Sequence, residues 1–480
     1  MKSRFKRFSV FAVMIFTFAC VGAEQTEQLI LKPEDARLLV LSNDAGVLSS
    51  QWDVKAAEGR VKSAEAAAYP HISRETHASW IANPAEAIVI ETGEITSAPM
   101  VIPPQPLTIV DAQDPFQYSV ALSLDMPVYT RGKLATQVEI REHELRKSRT
   151  GAVDSQVDAI ARLFKNLYAL MYQREALSLV QDQRELTARM LTTLEGSMNA
   201  GAMTDLDYQE AVLNARKLDR TLASLSARIR SLEREIVKQT GMKDSIGVTV
   251  STDGLSPAPK LAVKDAETWV GKALTENPSL EEASYSRDAL NSMAKLAEKQ
   301  ASPLPDMFLN ITGGWNGSRL PFESGWEDKG GWFMTVTIGS GGTLLDFGDR
   351  AGNVQEAQAL AAKANEAYRA ARENLADAIY GLTDTLATLE GDVRYADALV
   401  DVNTLRMNDE FSKRDAGAGS DLSTLKTQSE QLDSILDLVS LRMQYADTAI
   451  DLLSLATPYN VLSAELFFCA GCYPDHEEET

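Results

Sequence analysis

The chain of 480 residues carries 47 Lys and Arg against 68 Asp and Glu, with four His and three Cys. A net charge of −21 argues against a nucleic-acid binder, because phosphate contacts need a basic surface. Four scattered histidines argue against a His-built metal enzyme. Walker loops, dinucleotide fingerprints and nucleophile motifs are absent, so neither an enzyme nor a cofactor is expected.

Residues 1–23 read as an export signal. Lys2, Arg4, Lys6 and Arg7 precede an apolar core, Phe8 to Ala19, that is too short to span a bilayer. Val21-Gly22-Ala23 offers a small-residue cleavage site, and its use leaves a mature chain of charge −25. Cys20 follows Thr17-Phe18-Ala19 rather than the Leu-small-small run of a lipoprotein signal. It is expected to leave with the signal, and lipidation anchoring the N-terminus is the alternative. Beyond the signal no run of 18 apolar residues exists, so any membrane crossing must use strands.

Proline spacing then divides the mature chain. None occurs between Pro127 and Pro257 or between Pro321 and Pro458, and each gap predicts a long helical block. The blocks repeat. Asn43-Asp44 corresponds to Asn277-Pro278 at an offset of 234, and Pro70 to Pro305 at 235. Gly132 corresponds to Gly348, and Gly201 to Gly417, both at 216. The drop in offset places an insertion-bearing loop at 81–115 of the first copy. The expected organisation is a signal peptide at 1–23, a first repeat at 24–256, a second at 257–460 and a flexible tail at 461–480.

Extended segments precede each helical block. Phe116, Tyr118, Val120, Leu122, Leu124 and Met126 alternate with Gln117, Ser119, Ala121, Ser123 and Asp125. Trp332, Met334, Val336 and Ile338 oppose Phe333, Thr335, Thr337 and Gly339. Met307, Leu309, Ile311 and Trp315 oppose Phe308, Asn310, Thr312 and Gly314. The segment after Pro70 is weaker, because Arg74 falls among Ile72, Thr76, Ala78 and Trp80. About ten residues of apolar-out, polar-in alternation suit a lipid-facing strand, and a soluble sandwich is the plainer alternative.

Inside the helical blocks the apolar period is 3.5. Val153, Val157, Ile160, Phe164, Leu167 and Met171 step 4-3-4-3-4, as do Leu218, Leu222, Leu225, Ile229, Leu232 and Ile236. Two further seams run through Leu375, Ile379, Leu382, Leu386 and Leu389, and through Leu432, Leu436, Val439, Met443, Ala446 and Ile450. This period implies left-handed coiled-coil packing. Gly132 to Ala200 as helix would run roughly 100 Å at 1.5 Å per residue, and the Gly201 and Gly417–Gly419 segments turn each block into a hairpin. Four strands cannot seal a pore alone, so the remainder must come from identical copies.

The sequence resembles the TolC-type outer membrane efflux protein family over roughly residues 28–457. The motifs carrying the resemblance occur twice in order. They are the helix-Pro-strand junctions (Asn43 to Pro70; Asn277 to Pro305), the strand-to-helix turns (Pro127 to Lys133; Leu345 to Arg350) and the hairpin tips (Gly201 to Ala211; Gly417 to Thr427). The resemblance implies a mainly α protein whose duplicated helical hairpins form an α-barrel tunnel. That tunnel would be continuous with a 12-stranded β-barrel shared by a homotrimer in outer membrane lipid. It also implies a periplasmic adaptor and an inner-membrane pump as partners, in a tripartite efflux or type I secretion system. The hairpin tips would be the closed end of the tunnel.

Matching the tips gives Gly201, Asp205, Asp207, Arg414, Gly417, Gly419 and Asp421 as gating candidates. Asp207 falls on the family's linking aspartate, and its partner position holds Arg414, so an Asp207–Arg414 ion pair is expected. The family's acidic constriction aligns with Ser423 and Lys426, leaving Asp421 as the nearest carboxylate. A solvated hairpin turn is the plainer reading of each tip charge. A lone Cys469-x-x-Cys472 lacks the second ligand pair of a zinc site, so an idle or oxidised thiol pair is expected. The competing function is an exported periplasmic adaptor or coiled-coil scaffold, which has no use for the two alternating hairpins.

Overall fold

The computed structural model describes residues 29–90, 107–110, 113–201, 204–242, 248–261, 265–319, 325, 328–341, 345–463 and 467–468. The expected signal peptide, Cys20, Cys469 and Cys472 lie outside the described residues, as does much of the 81–115 loop.

In chain order the elements of the first half are β1 (Leu29–Leu31), α1 (Pro33–Asn43), α2 (Ala45–Ala66), β2 (His71–Trp80), β3 (Ile88–Ile90), β4 (Leu107–Val110), β5 (Phe116–Tyr129), α3 (Lys133–Asn199) and α4 (Asp205–Gln239). The second half has β6 (Val248–Val250), α5 (Ala266–Glu276), α6 (Pro278–Ala301), β7 (Asp306–Gly317), β8 (Gly330–Gly341), α7 (Asp349–Asp415), α8 (Asp421–Ala456) and α9 (Pro458–Ser463). Among the described residues, no helix is long and apolar enough to cross a membrane.

Matching residues make matching junctions in the two halves. Asp44 caps α2 by accepting from the Gly46 and Val47 amides at 2.9 and 3.2 Å, and Asn277 caps α6 by accepting from Leu280 N at 2.9 Å. Both α3 and α7 are 67 residues long, about 100 Å each. Two consecutive left-handed residues introduce each of them: Arg131 and Gly132 at φ 58° and 75°, Phe347 and Gly348 at 49° and 104°. Proline's absence lets these helices run on, and glycine stops them. Gly201 and Gly417 take φ of 72° and 75°, a conformation that a Cβ disfavours.

The four main strands form one antiparallel sheet in the order β2-β5-β7-β8, open at β2 and β8. The short β3 and β4 pair separately, within the loop expected to carry the insertion. The long helices form a layer as well. Next to the sheet, neighbours run α2-α3-α6-α7; further away they run α4-α3-α8-α7. Their contacts follow the 3.5-residue seams: Val157, Ile160, Phe164 and Leu167 of α3 are buried, as are Ile229 and Ile236 of α4, Ile379, Leu386 and Leu389 of α7, and Val439, Ala446 and Ile450 of α8.

The densest core lies at the waist, midway along α3. There β1 pairs in parallel with β6, and α1, α5 and α9 wrap the long helices. Leu31, Val40, Phe164, Tyr168, Ile236, Val250, Trp269 and Ile450 share one apolar cluster. Phe467 joins them. It is fully buried, stacks on Phe164 with ring centroids 3.9 Å apart, and its carbonyl accepts from Ser256 N at 2.9 Å. The expectation of a flexible tail from residue 461 is therefore corrected at Val461 to Ser463 and at Phe467 and Phe468. Two aromatic rings entering a preformed apolar cavity outweigh the ordering entropy of a few residues.

Candidate functional site

Register across the sheet sorts its side chains into two faces. On one face Ile72, Leu124, Ile311 and Val336 lie in a row, followed by Arg74, Leu122, Gly313 and Met334, then Thr76, Val120, Trp315 and Trp332. This face is open to the surroundings, with Trp332, Met334 and Ile338 at 81, 73 and 70% exposure. The opposite face carries a hydroxyl row, Ser73, Ser123, Thr312 and Thr335, and beside it His71, Asp125, Asn310 and Thr337. Ser123 and Thr312 hydroxyls are hydrogen bonded at 3.0 Å, and Asn310 Nδ2 donates to Asp125 at 2.7 Å. Gly314 is required where it stands, because a Cβ there would run into the Val120 carbonyl and Ala121 Cα. A sheet that is apolar on one face and hydroxylated on the other matches hydrocarbon outside and water inside.

Polar contacts gather where sheet meets helix. Lys133 at the start of α3 holds Asp306 at the start of β7 at 2.9 Å, and Lys299 of α6 reaches Thr136 at 2.5 Å. At the second junction Asp346 is held by Arg350 and by the Gly348 amide, which keep its carboxyl below the usual carboxylate range.

The tips terminate the long helices. At the second, Ala418 and Gly419 amides donate to the Lys413 carbonyl at 2.8 and 3.0 Å, and Gly417 N to Arg414 O at 2.9 Å. A Cβ on Gly419 would lie 2.8 Å from Arg414 N, so glycine permits this closure. Ser420 then caps α8 through Ser423 N at 3.1 Å, and exposed Asp421 takes the first helical position, where the helix dipole favours a carboxylate. At the first tip Gly201 closes α3, and exposed Asp205 opens α4.

Arg414 donates to Asp415 in its own helix at 3.0 Å, with its guanidinium 5.0 Å from the Phe411 ring centre. Asp207 lies in the first turn of α4, and its side chain is outside the described residues. Ser423 bonds to Ser420, and Lys426 is exposed on α8. A second group was missed in sequence. Lys413 sits 2.6 Å from Asp409 and 2.9 Å from Glu410. These carboxylates, Asp409 first, raise its pKa, while Lys413 and then Ser423 lower that of Glu410. The i,i+3 spacing of Glu410 and Lys413 was visible in sequence. Among the described residues, no His, Cys, Asp and Glu cluster is placed to hold a metal.

A two-faced sheet continued by a layer of ~100 Å helices is the wall of a membrane duct. A family model described as "outer membrane efflux protein" matches residues 38–241 and 269–456, and the chain belongs to that family. It is an outer membrane efflux channel, a transport duct rather than an enzyme, with its helical tunnel in the periplasm. The fold is shared with the outer membrane protein VceC from Vibrio cholerae, at 14% identity over 88% of this chain and 95% of that one, TM-score 0.69. It is likewise similar to the CmeC outer membrane channel of Campylobacter jejuni, at 12% identity over 89% and 85%, TM-score 0.68. The open-state MtrE outer membrane channel of Neisseria gonorrhoeae matches at 14% identity over 90% and 88%, TM-score 0.64. No curated protein matches the chain.

Proposed function

We propose that three copies of this chain close into one continuous exit duct. The observation that carries this reading is that both layers are four elements wide and open along the same two sides. β8 and α7 form one side, and β2 with α2 and α4 form the other. Unpaired strand edges in hydrocarbon cost several kcal/mol per backbone group. The helix edges are apolar as well: Tyr395, Val402 and Leu405 on α7 and Leu206 and Leu213 on α4 are exposed at heptad-like spacing. Two copies would make an eight-stranded barrel, whose interior side chains fill. Three copies make twelve strands around a lumen and twelve helices around a tunnel.

In this reading the repeats at 24–256 and 257–460 each supply one strand pair and one helical hairpin, after removal of the signal at 1–23. The duct serves a tripartite efflux or type I secretion system, fed by an inner-membrane pump through a periplasmic adaptor that grips the tips. Gly201, Asp205, Asp207, Arg414, Gly417, Gly419 and Asp421 form the closed end. Arg414 would exchange Asp415 for Asp207 as a link between hairpins, a pair worth only ~0–1 kcal/mol at an exposed site. Outer membrane fractionation, oligomer mass in detergent and single-channel conductance test the reading. A water-soluble monomer that forms no channels refutes it.

A further inference from the structure

Arg74 is the one charged residue on the outward face of the four main strands. The β2–β5 register opposes it to Leu122 and leaves Ile72 and Thr76 on its own face. It is exposed, and no hydrogen bond or ion pair to it is present among the described residues. A guanidinium facing hydrocarbon is costly unless it pairs with a counter-charge or carries its head to the interface.

The protein does not supply one. Outward positions of β2, β5, β7 and β8 hold no carboxylate. The strand that closure lays beside β2 is β8 of the next copy, whose outward side chains are Trp332, Met334, Val336, Ile338 and Ser340. Glu75 points to the other face of the strand, and Asp346, beyond β8, is already held by Arg350. A counter-anion for Arg74 would therefore have to come from the lipid.

Depth selects the leaflet. Ten residues of β2 at ~3.3 Å each, tilted about 35–45°, rise ~25 Å, the height of an apolar barrel band. The helices leave from the His71 end, so that end is periplasmic. Arg74, three residues along, lies about 8 Å inside this boundary, within reach for an arginine extending its head towards the interface. The Trp80 end is about twice as far. The geometry points to a phosphate site: Arg74 takes the phosphate of an anionic phospholipid in the periplasmic leaflet, with acyl chains along Ile72 and Leu122, at the seam between copies. This rests on the closed-barrel reading.

Native mass spectrometry of the detergent-purified oligomer, titrated separately with phosphatidylglycerol, phosphatidylcholine and lipid A, tests the site. Phosphatidylglycerol should bind about tenfold more tightly than phosphatidylcholine, in line with a charge-assisted hydrogen bond. Arg74→Leu should erase that preference and Arg74→Lys should retain part of it. A preference unchanged in Arg74→Leu overturns the proposal, and so does Arg74-dependent binding of lipid A alone, which would move the site to the outer leaflet. If Arg74→Leu fails to assemble, Arg74→Gln carries the same comparison. The spectra also report the oligomer: a monomer sinks the duct, whereas an oligomer without Arg74-dependent adducts sinks the lipid site alone.

Discussion

Phe467→Ala probes whether the C-terminal segment is structural. The ring is fully buried, 3.9 Å from Phe164 and 6.5 Å from Tyr168 between centroids. Losing its burial removes ~1.5–3 kcal/mol, and losing the stack a further ~0.5–1.5 kcal/mol. With a residual cavity the total should reach ~3–5 kcal/mol per chain. Phe467→Leu should recover more than half of this, and Phe468→Ala, at the cluster's edge, should cost less. Denaturant unfolding of the detergent-solubilised protein, followed by tryptophan fluorescence, gives the comparison, because Trp269 lies in the same cluster. If Phe467→Ala unfolds at the wild-type midpoint, the ring does not stabilise the waist and the tail is loose after all.

Other expectations follow from single contacts. Burial raises the Asp154 carboxyl above its ordinary value, with the Ser279 hydroxyl at 2.8 Å only partly offsetting this. A carboxyl with a raised folded pKa stabilises the fold while protonated, and that contribution is lost as pH rises through the folded value. Asp154→Asn should thus raise the melting temperature more at pH 8 than at pH 4; an equal rise would exclude linkage. Val336→Arg, which puts a charge in the middle of the outward face, should destabilise the barrel by ~2–4 kcal/mol, read as a lower dissociation temperature of the oligomer on SDS gels. Gly314→Val should do the same by forcing β5 from β7, whereas Gly352→Ala, with open space around it, should not. Asp207→Ala should raise conductance and alter adaptor-dependent export; unchanged values would remove Asp207 from the closed end.

The parts of the fold legible in sequence were those whose signal repeats locally. Heptads such as Ile379 to Leu389 restate themselves every turn or two, and the proline gaps mark how far a helix may run. Glycines at 132, 201, 348 and 417 were readable because each backbone must turn left-handed there. The waist was not readable. β1 and β6 are three residues each and find their partners more than 200 positions away, and Phe467 means nothing without the cavity beside Phe164. At the tips, sequence located the turns but not the Asp415 partner of Arg414, since side-chain choice there depends on how the turn folds back.

Both described ends of the chain finish in that same waist: β1 lies against β6, and Phe467 sits under α3. The middle of the molecule therefore cannot be completed until Phe467 has been delivered. A polypeptide threaded across the inner membrane would leave that girdle open until Phe467, more than 430 positions behind β1, had followed.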